Sequence, residues 1–287
     1  MTLAVSKAVE AGAGAIMCAS TGNTSASAAA YSAAAGLPCY VVVPRRDIAM
    51  GKLAQALAYG ARVVAIDGSF DQAMTAVKEV TRRFPKIALV NSINPFRLEG
   101  QKTAAFEVCE ALGRAPDYHA LPVGNAGNIT AYWMGYQEYL RLGKIRRAPI
   151  MLGFQARGAD PIVRGRPIAK PRTVASAIRI GNPVSWQSAL AAKDESGGLI
   201  QSVTDHEILK AYHALSSDEG VFVEPASAAG VAGIWRLAKQ KYFKRDVTVV
   251  CTLTGHGLKD PERALQGVAK PIHVKPTIEA IIKALHL

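Results

Sequence analysis

Hydrophobic positions in the first third of the chain follow two alternating periods. Short apolar runs rich in β-branched residues predict strands, and apolar residues three or four positions apart predict helices. The strands are predicted at residues 14–18, 38–44, 62–66 and 87–90, and the helices at residues 2–11, 28–36, 48–59 and 70–84. This alternation indicates β-α-β units and an open, mostly parallel sheet with helices on both faces. Ligands bind such sheets beyond the carboxyl ends of the strands.

The alternation continues less regularly through the rest of the chain. Strands are predicted at residues 119–123, 151–155, 247–253 and 272–274, and helices at residues 98–112, 129–142, 204–215, 226–238 and from 277 onward. The run at 247–253 predicts a buried strand most clearly, and Thr204 with Glu207 predicts a capping box. Between residues 157 and 198 the period weakens and Gly and Pro are frequent, which favours a long excursion over the surface or toward a partner subunit.

Composition narrows the class of protein. Nearly half of the 287 residues are apolar, but no apolar run is long enough to span a membrane, and the N-terminus lacks the pattern of a signal peptide. We therefore expect a cytoplasmic protein. The four cysteines lie far apart in apolar runs or helix patterns, so we expect core thiols and no metal site.

The formal net charge of +12 suggests anionic partners. The basic residues are scattered and are not interleaved with aromatic residues, so no nucleic-acid module is recognisable. Small anionic ligands fit this pattern better.

Three polar stretches follow predicted strands and are candidates for anion binding. Small hydroxyl and amide residues crowd the start of a predicted helix at residues 20–25, where free backbone N–H groups favour an anion. Residues 124–128, Gly-Asn-Ala-Gly-Asn, have the features of a phosphate cradle. Residues 91–97 bring amide, hydroxyl and guanidinium groups together, and the planar fork of Arg97 suits a second phosphate. Taken singly, each stretch is also typical of an ordinary cap or turn.

A fourth polar stretch, residues 254–257, ends the strand predicted at 247–253. A lone histidine such as His256 is more often a hydrogen-bonded structural residue than a general base, and we expect the structural role here. Paired carboxylates at acid–base spacing and a Ser-His-Asp set are not evident.

In this order along the chain, the motifs resemble those of the threonine synthases, which are fold type II pyridoxal-phosphate enzymes, similar to tryptophan synthase β. The resemblance runs from Met1 to the C-terminus and rests on these segments: Ala19-Ser-Thr-Gly-Asn-Thr-Ser-Ala-Ser27, Asn91-Ser-Ile-Asn-Pro-Phe-Arg-Leu-Glu-Gly-Gln-Lys102, Val123-Gly-Asn-Ala-Gly-Asn128, Ala177-Ile-Arg-Ile-Gly-Asn-Pro183, Val223-Glu-Pro-Ala-Ser-Ala228 and Leu253-Thr-Gly-His-Gly-Leu-Lys-Asp260. It implies an α/β fold of two open, mostly parallel sheets flanked by helices. The smaller domain would cover residues 8–98, and residues 1–7 and 99–287 would form the larger, cofactor-binding domain.

The resemblance also implies a reaction, in which O-phosphohomoserine and water give threonine and phosphate on pyridoxal 5′-phosphate, in a homodimer. Asn23 would hydrogen-bond the ring hydroxyl oxygen of the cofactor, and Thr254 would face its pyridine nitrogen. The residues implied for the cofactor's phosphate are Gly124, Asn125, Ala126, Gly127 and Asn128; those for the substrate's carboxylate are Ser20, Thr21 and Thr24; those for its phosphate are Asn91 and Arg97.

One part of the family pattern is not in this sequence. The Schiff-base lysine of the family lies in a Ser-Phe-Lys-Asp-Arg-Gly motif immediately before the helix that begins with Met1 here. We therefore expect the lysine and the first strands of the fold upstream of Met1, through a late-assigned start codon or a longer gene. Lys7 and Lys52 lie on helix patterns and are not expected to replace it.

Without that lysine we expect weak cofactor binding, little turnover and reduced stability. One alternative is a lysine-free paralogue that binds a ligand without chemistry. Another is a serine or threonine dehydratase, against which the phosphate site at residues 91–97 argues.

Overall fold

The computed structural model describes residues 1–45, 50–266 and 271–286. Its strands are β1 Ala15–Ala19, β2 Cys39–Pro44, β3 Arg62–Ile66, β4 Ile87–Leu89, β5 Tyr118–Pro122, β6 Ile150–Ala156, β7 Leu199–Val203 and β8 Val249–Cys251. Its helices are α1 Thr2–Glu10, α2 Asn23–Ala34, α3 Met50–Ala58, α4 Phe70–Arg83, α5 Pro95–Gln101, α6 Thr103–Leu112, α7 Gly127–Arg141, α8 Pro161–Arg164, α9 Trp186–Glu195, α10 Asp205–Ser217, α11 Pro225–Lys239, α12 Pro261–Ala264 and α13 Ile278–Leu285.

The strands form two parallel four-stranded sheets with the same order. The first sheet runs β3-β2-β1-β4 and the second runs β7-β6-β5-β8. In each sheet the chain moves outward from the third position and then places its last strand on the other side. Each sheet therefore has a topological switch point, between β1 and β4 in the first and between β5 and β8 in the second. The prediction of two open, parallel sheets flanked by helices is confirmed.

Helices bury both faces of each sheet, which explains why the inner strands are nearly continuous apolar runs. All five residues of β1 and of β5 are buried. On the first sheet, alanines of α1 and α2 pack with Leu53 of α3 on one face, while Ala73 and Val77 of α4 cover the other. On the second sheet, Ile208 of α10 packs with α11 on one face, and Ile129 of α7 packs with α9 on the other.

Residues 157–198 differ from their prediction. The segment holds α8, a 3-10 turn at Ser176–Ile178 and the ten-residue helix α9, and it leads directly into β7, a strand that the sequence reading missed. It is not an excursion over the surface, since Ala175, Ile178, Ala189 and Ala192 are buried in the cores of the second sheet. Helix α9 escaped detection because it buries only two small alanines and so has no broad apolar stripe.

Three further predictions needed correction. The helix predicted at 98–112 is two helices, α5 and α6, that meet at Lys102. The strand predicted at 247–253 is shortened to β8, which is half-buried because it pairs only with β5. Residues 272–274 form no strand, and Ile272 is 70% exposed.

Other local predictions are confirmed. Thr204 and Glu207 form the capping box at the start of α10, and the helix predicted from residue 277 onward is α13. Cys18, Cys39 and Cys109 are buried free thiols, while Cys251 is half-buried. In the part of the chain that the structure describes, no helix is long and apolar enough to cross a membrane.

Candidate functional site

The first candidate stretch lies at the carboxyl end of β1, where residues 20–22 turn into α2. The Ser20 hydroxyl accepts a hydrogen bond from the Gly22 amide at 3.1 Å, so it closes the turn. Gly22 is the N-cap of α2, and no side chain caps the helix. Thr21 and Thr24 are half-buried, and their hydroxyls make no hydrogen bond to the described residues. Two free hydroxyls therefore stand beside uncapped backbone N–H groups.

Asn91 lies on the other side of the first switch point, just beyond β4. Its side-chain amide is 5% exposed and braces the last residue of β1: Oδ1 accepts from the Ala19 amide and Nδ2 donates to the Ala19 carbonyl, both at 2.9 Å. Both polar atoms of the Asn91 side chain thus hydrogen-bond the backbone of Ala19. Asn91 fixes the spacing between β1 and the loop after β4, and only its second amide hydrogen remains for a ligand.

Arg97 of α5 carries its charge into the same corner. Its Nη1 donates to the Val90 carbonyl at 2.9 Å, and its Nε is buried without a hydrogen-bond partner. Burial lowers the pKa of Arg97, against a smaller opposing effect of Cys18. Among the described residues, no carboxylate forms an ion pair with this guanidinium. A half-buried cation whose Nε is buried and that pairs with no carboxylate is suited to an anionic ligand.

The second candidate stretch joins β5 to α7. Ala126 has a left-handed backbone (φ 65°), and no side chain caps the helix that starts at Gly127. The N–H groups of Gly127 and Asn128 at the start of this 15-residue helix are therefore free to bind an anion, whereas the Ile129 amide donates to Oδ1 of Asn128 at 2.8 Å. Asn128 uses one hydrogen of Nδ2 on the Pro122 carbonyl at 2.7 Å. Backbone N–H groups form the centre of the cradle.

Two parts of the segment 157–198 pack against this cradle, one on each side. The Asn125 side-chain oxygen accepts from the Val184 amide at 2.8 Å, and its carbonyl accepts from the Ser185 amide at 3.2 Å. On the other side, a Cβ on Gly124 would lie 2.9 Å from Cα of Ile178. Glycine is therefore required at 124 by close backbone packing rather than by its φ angle.

Thr254 follows β8 at the second switch point, and β8 is the neighbour of β5. The exposed Thr254 hydroxyl lies 3.1 Å from the Ser227 hydroxyl, which also accepts from the Gly255 amide at 2.7 Å. Glu224, the N-cap residue of α11, donates its backbone N–H to the Gly255 carbonyl at 2.9 Å. Helix α11 thus holds the loop that carries Thr254.

Two contacts join the ends of the two sheets. Asn23 at the start of α2 donates from Nδ2 to Oε1 of Glu224 at 3.0 Å, and Lys259 donates to the side-chain oxygen of Gln55. The loops after β1 and β8 therefore face each other, and the first switch point lies opposite the second. Glu224 lies in a motif that the sequence comparison noted but to which it gave no role.

A buried polar network lies beneath the second switch point. His119 of β5 is fully buried; its Nδ1 lies 2.6 Å from the Tyr136 hydroxyl and its Nε2 lies 2.7 Å from the Thr252 hydroxyl. Burial lowers the pKa of His119 to about 4. The sequence reading missed this network, since a single histidine in a short apolar strand gives no periodic signal.

The remaining candidates from the sequence are one histidine, two lysines and possible metal ligands. His256 accepts from the Leu258 amide through Nδ1 at 3.2 Å, which confirms the structural reading of that residue. Lys7 pairs with Glu10 at 2.6 Å and its ammonium lies 5.9 Å from the centre of the Phe96 ring. The side chain of Lys52 lies outside the described residues. Within those residues, no group of three or more His, Cys, Asp or Glu side chains could hold a metal ion.

Comparison with known proteins links the chain to one enzyme family. The family described as "Pyridoxal-phosphate dependent enzyme" matches residues 1–255. A threonine synthase of Synechocystis sp. is 56% identical over 287 residues, which cover 99% of this chain and 74% of that protein. Threonine synthases of Mycobacterium tuberculosis (55% identical, 100% and 80% covered) and Methanocaldococcus jannaschii (49%, 99% and 72%) are also similar.

Solved structures share the fold at lower sequence identity. Maize serine racemase has a TM-score of 0.75 at 20% identity, covering 97% of this chain and 80% of that one. A threonine deaminase of T.th. has a TM-score of 0.73 at 22% identity, covering 93% of this chain and 83% of that one. At these identities the two structures support the architecture and not a shared reaction.

Proposed function

Because the chain belongs to the pyridoxal-phosphate dependent enzyme family and, within it, to the threonine synthases, we propose that its substrate is O-phosphohomoserine. Water would replace the phosphate, and the products would be L-threonine and inorganic phosphate. The cofactor of the family is pyridoxal 5′-phosphate, which supplies an electron sink for the amino-acid carbon skeleton when it is bound. This chain's own residues bind and orient the two phosphorylated molecules.

Arg97 is the observation that carries the substrate proposal. Its guanidinium is desolvated, its Nε has no partner, and its Nη1 touches only a backbone carbonyl. Keeping such a cation from water is unfavourable unless a ligand supplies the missing hydrogen bonds and a negative charge. A phosphate ester would accept charge-assisted hydrogen bonds there, whereas an unphosphorylated hydroxyl would leave the charge unpaired. The site therefore favours a phosphorylated substrate over serine or threonine.

The first switch point would hold the rest of the substrate. The hydroxyls of Thr21 and Thr24 and the N–H groups at the start of α2 are free for its carboxylate. Ser20, already engaged with Gly22, would set the turn and offer its proton. Asn91 would act at the phosphate mainly by holding the end of β1 and would lend its second amide hydrogen.

The second switch point fits the cofactor's phosphate and pyridine ring. The uncapped start of α7, residues 124–128, would bind the phosphate through backbone N–H groups. Thr254 would place a neutral hydroxyl at the pyridine nitrogen, held there by Ser227. Asn23 would hydrogen-bond the ring hydroxyl oxygen with the amide that Glu224 now orients.

The proposed function is tested with two forms of the protein. One is the 287-residue chain, and the other is the same chain preceded by a segment that carries the Ser-Phe-Lys-Asp-Arg-Gly motif. We expect the longer form to release phosphate and form threonine, and borohydride to fix the cofactor to the motif lysine. We expect the 287-residue chain to bind the cofactor weakly, with no lysine fixed and little turnover.

Other outcomes would decide against the proposal. Formation of 2-oxobutyrate from threonine, with no reaction of O-phosphohomoserine in either form, would identify a dehydratase. Binding of the cofactor with no turnover in either form would indicate a ligand-binding protein without chemistry.

We also propose the division into a domain of residues 8–98 and a domain of residues 1–7 and 99–287, a homodimeric state and a cytoplasmic location. The strands of the first sheet come from residues 15–89 and those of the second from residues 118–251, in support of the division. Ala4 and Ala8 of α1 pack in the core of the first sheet, so α1 also contributes to the core of the smaller domain. Light scattering on purified protein tests the dimer.

A further inference from the structure

Ser185 is a buried serine at the N-cap of α9 whose side chain does not cap that helix. It is only 9% exposed. A serine at an N-cap normally accepts a hydrogen bond from the backbone of the first helical turn. Here it makes no such bond, and its hydroxyl has no hydrogen-bond partner among the described residues.

The hydroxyl instead lies beside the start of a different helix. Ser185 Oγ is 3.9 Å from the position that a Cβ on Gly127 would occupy, and Gly127 is the first residue of α7. Two hydrogen bonds hold it there, from the Val184 amide to the Asn125 side chain and from the Ser185 amide to the Asn125 carbonyl. The loop is therefore tied to the cradle, and the hydroxyl lies next to the first residue of α7.

These two observations are complementary. The Ser185 hydroxyl keeps its proton free to donate, and the free N–H groups at the start of α7 attract an anion. A phosphate oxygen at the start of α7 would accept from the hydroxyl as well as from the backbone. Ser185 would thereby add a side-chain hydroxyl donor to the backbone N–H groups of the cradle.

We propose that the Ser185 hydroxyl is a ligand of the phosphate group bound at the start of α7, namely the phosphate of pyridoxal 5′-phosphate. This inference rests on the proposed function for the identity of the ligand, but the contact itself requires only a phosphate. Asn125 is then a positioning residue that holds the 184–185 loop in place.

Binding measurements on the 287-residue chain and the longer form test the proposal. The variants are Ser185→Ala, Ser185→Thr, which keeps a hydroxyl, and the control Ser216→Ala, whose hydroxyl bonds its own helix at Tyr212. The ligands are pyridoxal 5′-phosphate, pyridoxal and inorganic phosphate. Phosphate is titrated in the Arg97→Met background so that the other anion site does not contribute.

We expect Ser185→Ala to weaken pyridoxal 5′-phosphate and phosphate by about tenfold, the size of one charge-assisted hydrogen bond. Pyridoxal binding and the melting temperature should be unchanged. Ser185→Thr should stay within about threefold of the parent protein, since it keeps the donor, and Ser216→Ala should match the parent.

Equal phosphate affinity of Ser185→Ala and the parent would overturn the inference, and so would an equal loss of pyridoxal, since that would indicate general damage to the site. Failure of the parent to bind phosphate or cofactor would also overturn it. A Ser185-dependent phosphate site in a protein that ignores pyridoxal 5′-phosphate would keep the inference and refute the proposed cofactor role. Threonine formation by the longer form tests the reaction independently.

Discussion

The two sheets have the same strand order, yet the groups that would bind an anion at their switch points differ. At the β1–β4 switch point the positive charge is one half-buried side chain, that of Arg97, whose Nε is buried without a partner. At the β5–β8 switch point it is the backbone of residues 124–128 at an uncapped helix start. A topological switch point thus fixes where a ligand binds but not the kind of group that binds it.

The difference has an electrostatic consequence. The guanidinium of Arg97 carries a full charge, and its partial desolvation is unfavourable in the empty protein. A helix start offers only a partial charge that is spread over several N–H groups. Such a site has a smaller desolvation free energy when it is unoccupied, and its affinity depends less on any one side chain. We therefore expect the first site to depend on one residue and the second on backbone shape.

Replacement of Arg97 is the largest test of this contrast. Arg97→Met should weaken binding of O-phosphohomoserine to the cofactor-loaded longer form by about 3–5 kcal/mol, because a desolvated charge pair is lost. The same variant should not lower the stability of the empty protein, since it removes a half-buried cation whose Nε has no partner. Calorimetric titration and a thermal melt measure the two effects.

The control for Arg97 is Arg82→Met, which changes an exposed arginine paired with Glu79 on α4. It should leave both quantities unchanged. Substrate affinity that survives Arg97→Met would mean that the first switch point does not bind the phosphate.

The effect of pH on stability also separates the two sheets. All six histidines of the chain lie at or after residue 119, so none belongs to the first sheet, and His119 lies in β5 of the second. Burial lowers the pKa of His119 to about 4, from 6.5. The unfolded chain therefore takes up the proton first, so the stability that the neutral imidazole contributes is complete above pH 6.5 and is lost as the pH falls toward 4. The loss is of order 3 kcal/mol.

Chemical denaturation between about pH 4 and 7 measures this loss. His119→Gln should flatten the curve in that window while keeping a polar partner for Tyr136 and Thr252. The exposed His213→Gln on α10 is the matched control and should retain the parent's slope. An unchanged slope in His119→Gln would show that other groups control acid stability.

Gly124→Ala gives the smallest expected effect and tests whether backbone shape controls the second site. The new methyl group would lie 2.9 Å from Cα of Ile178, so the cradle or the 3-10 turn must shift, at about 2 kcal/mol. Gly14→Ala is the control, because its nearest neighbour would be the Lys86 carbonyl oxygen at 3.9 Å. Denaturant unfolding and titration of pyridoxal 5′-phosphate should both show the loss at 124 alone.

The alternation of periods was enough to predict most strands and helices and the parallel class of the sheets. It was least informative where burial relies on small residues. Helix α9 buries only Ala189 and Ala192, and β7 is mostly half-buried, so neither has a strong apolar pattern. The opposite error occurred at residues 247–253, where an apolar run predicted a buried strand that is short and half-buried at a sheet edge.

For the candidate site, the sequence by itself determined which residues follow strands and which motifs the chain shares with its family. Only the tertiary structure decided what each side chain does. It turned Asn91 and Asn128 toward the backbone, left the Arg97 Nε without a partner and brought Ser185 to Gly127, a residue far from it in the chain. Local sequence sets which groups are present, but hydrogen-bond partners and desolvation depend on segments that meet only when the chain folds.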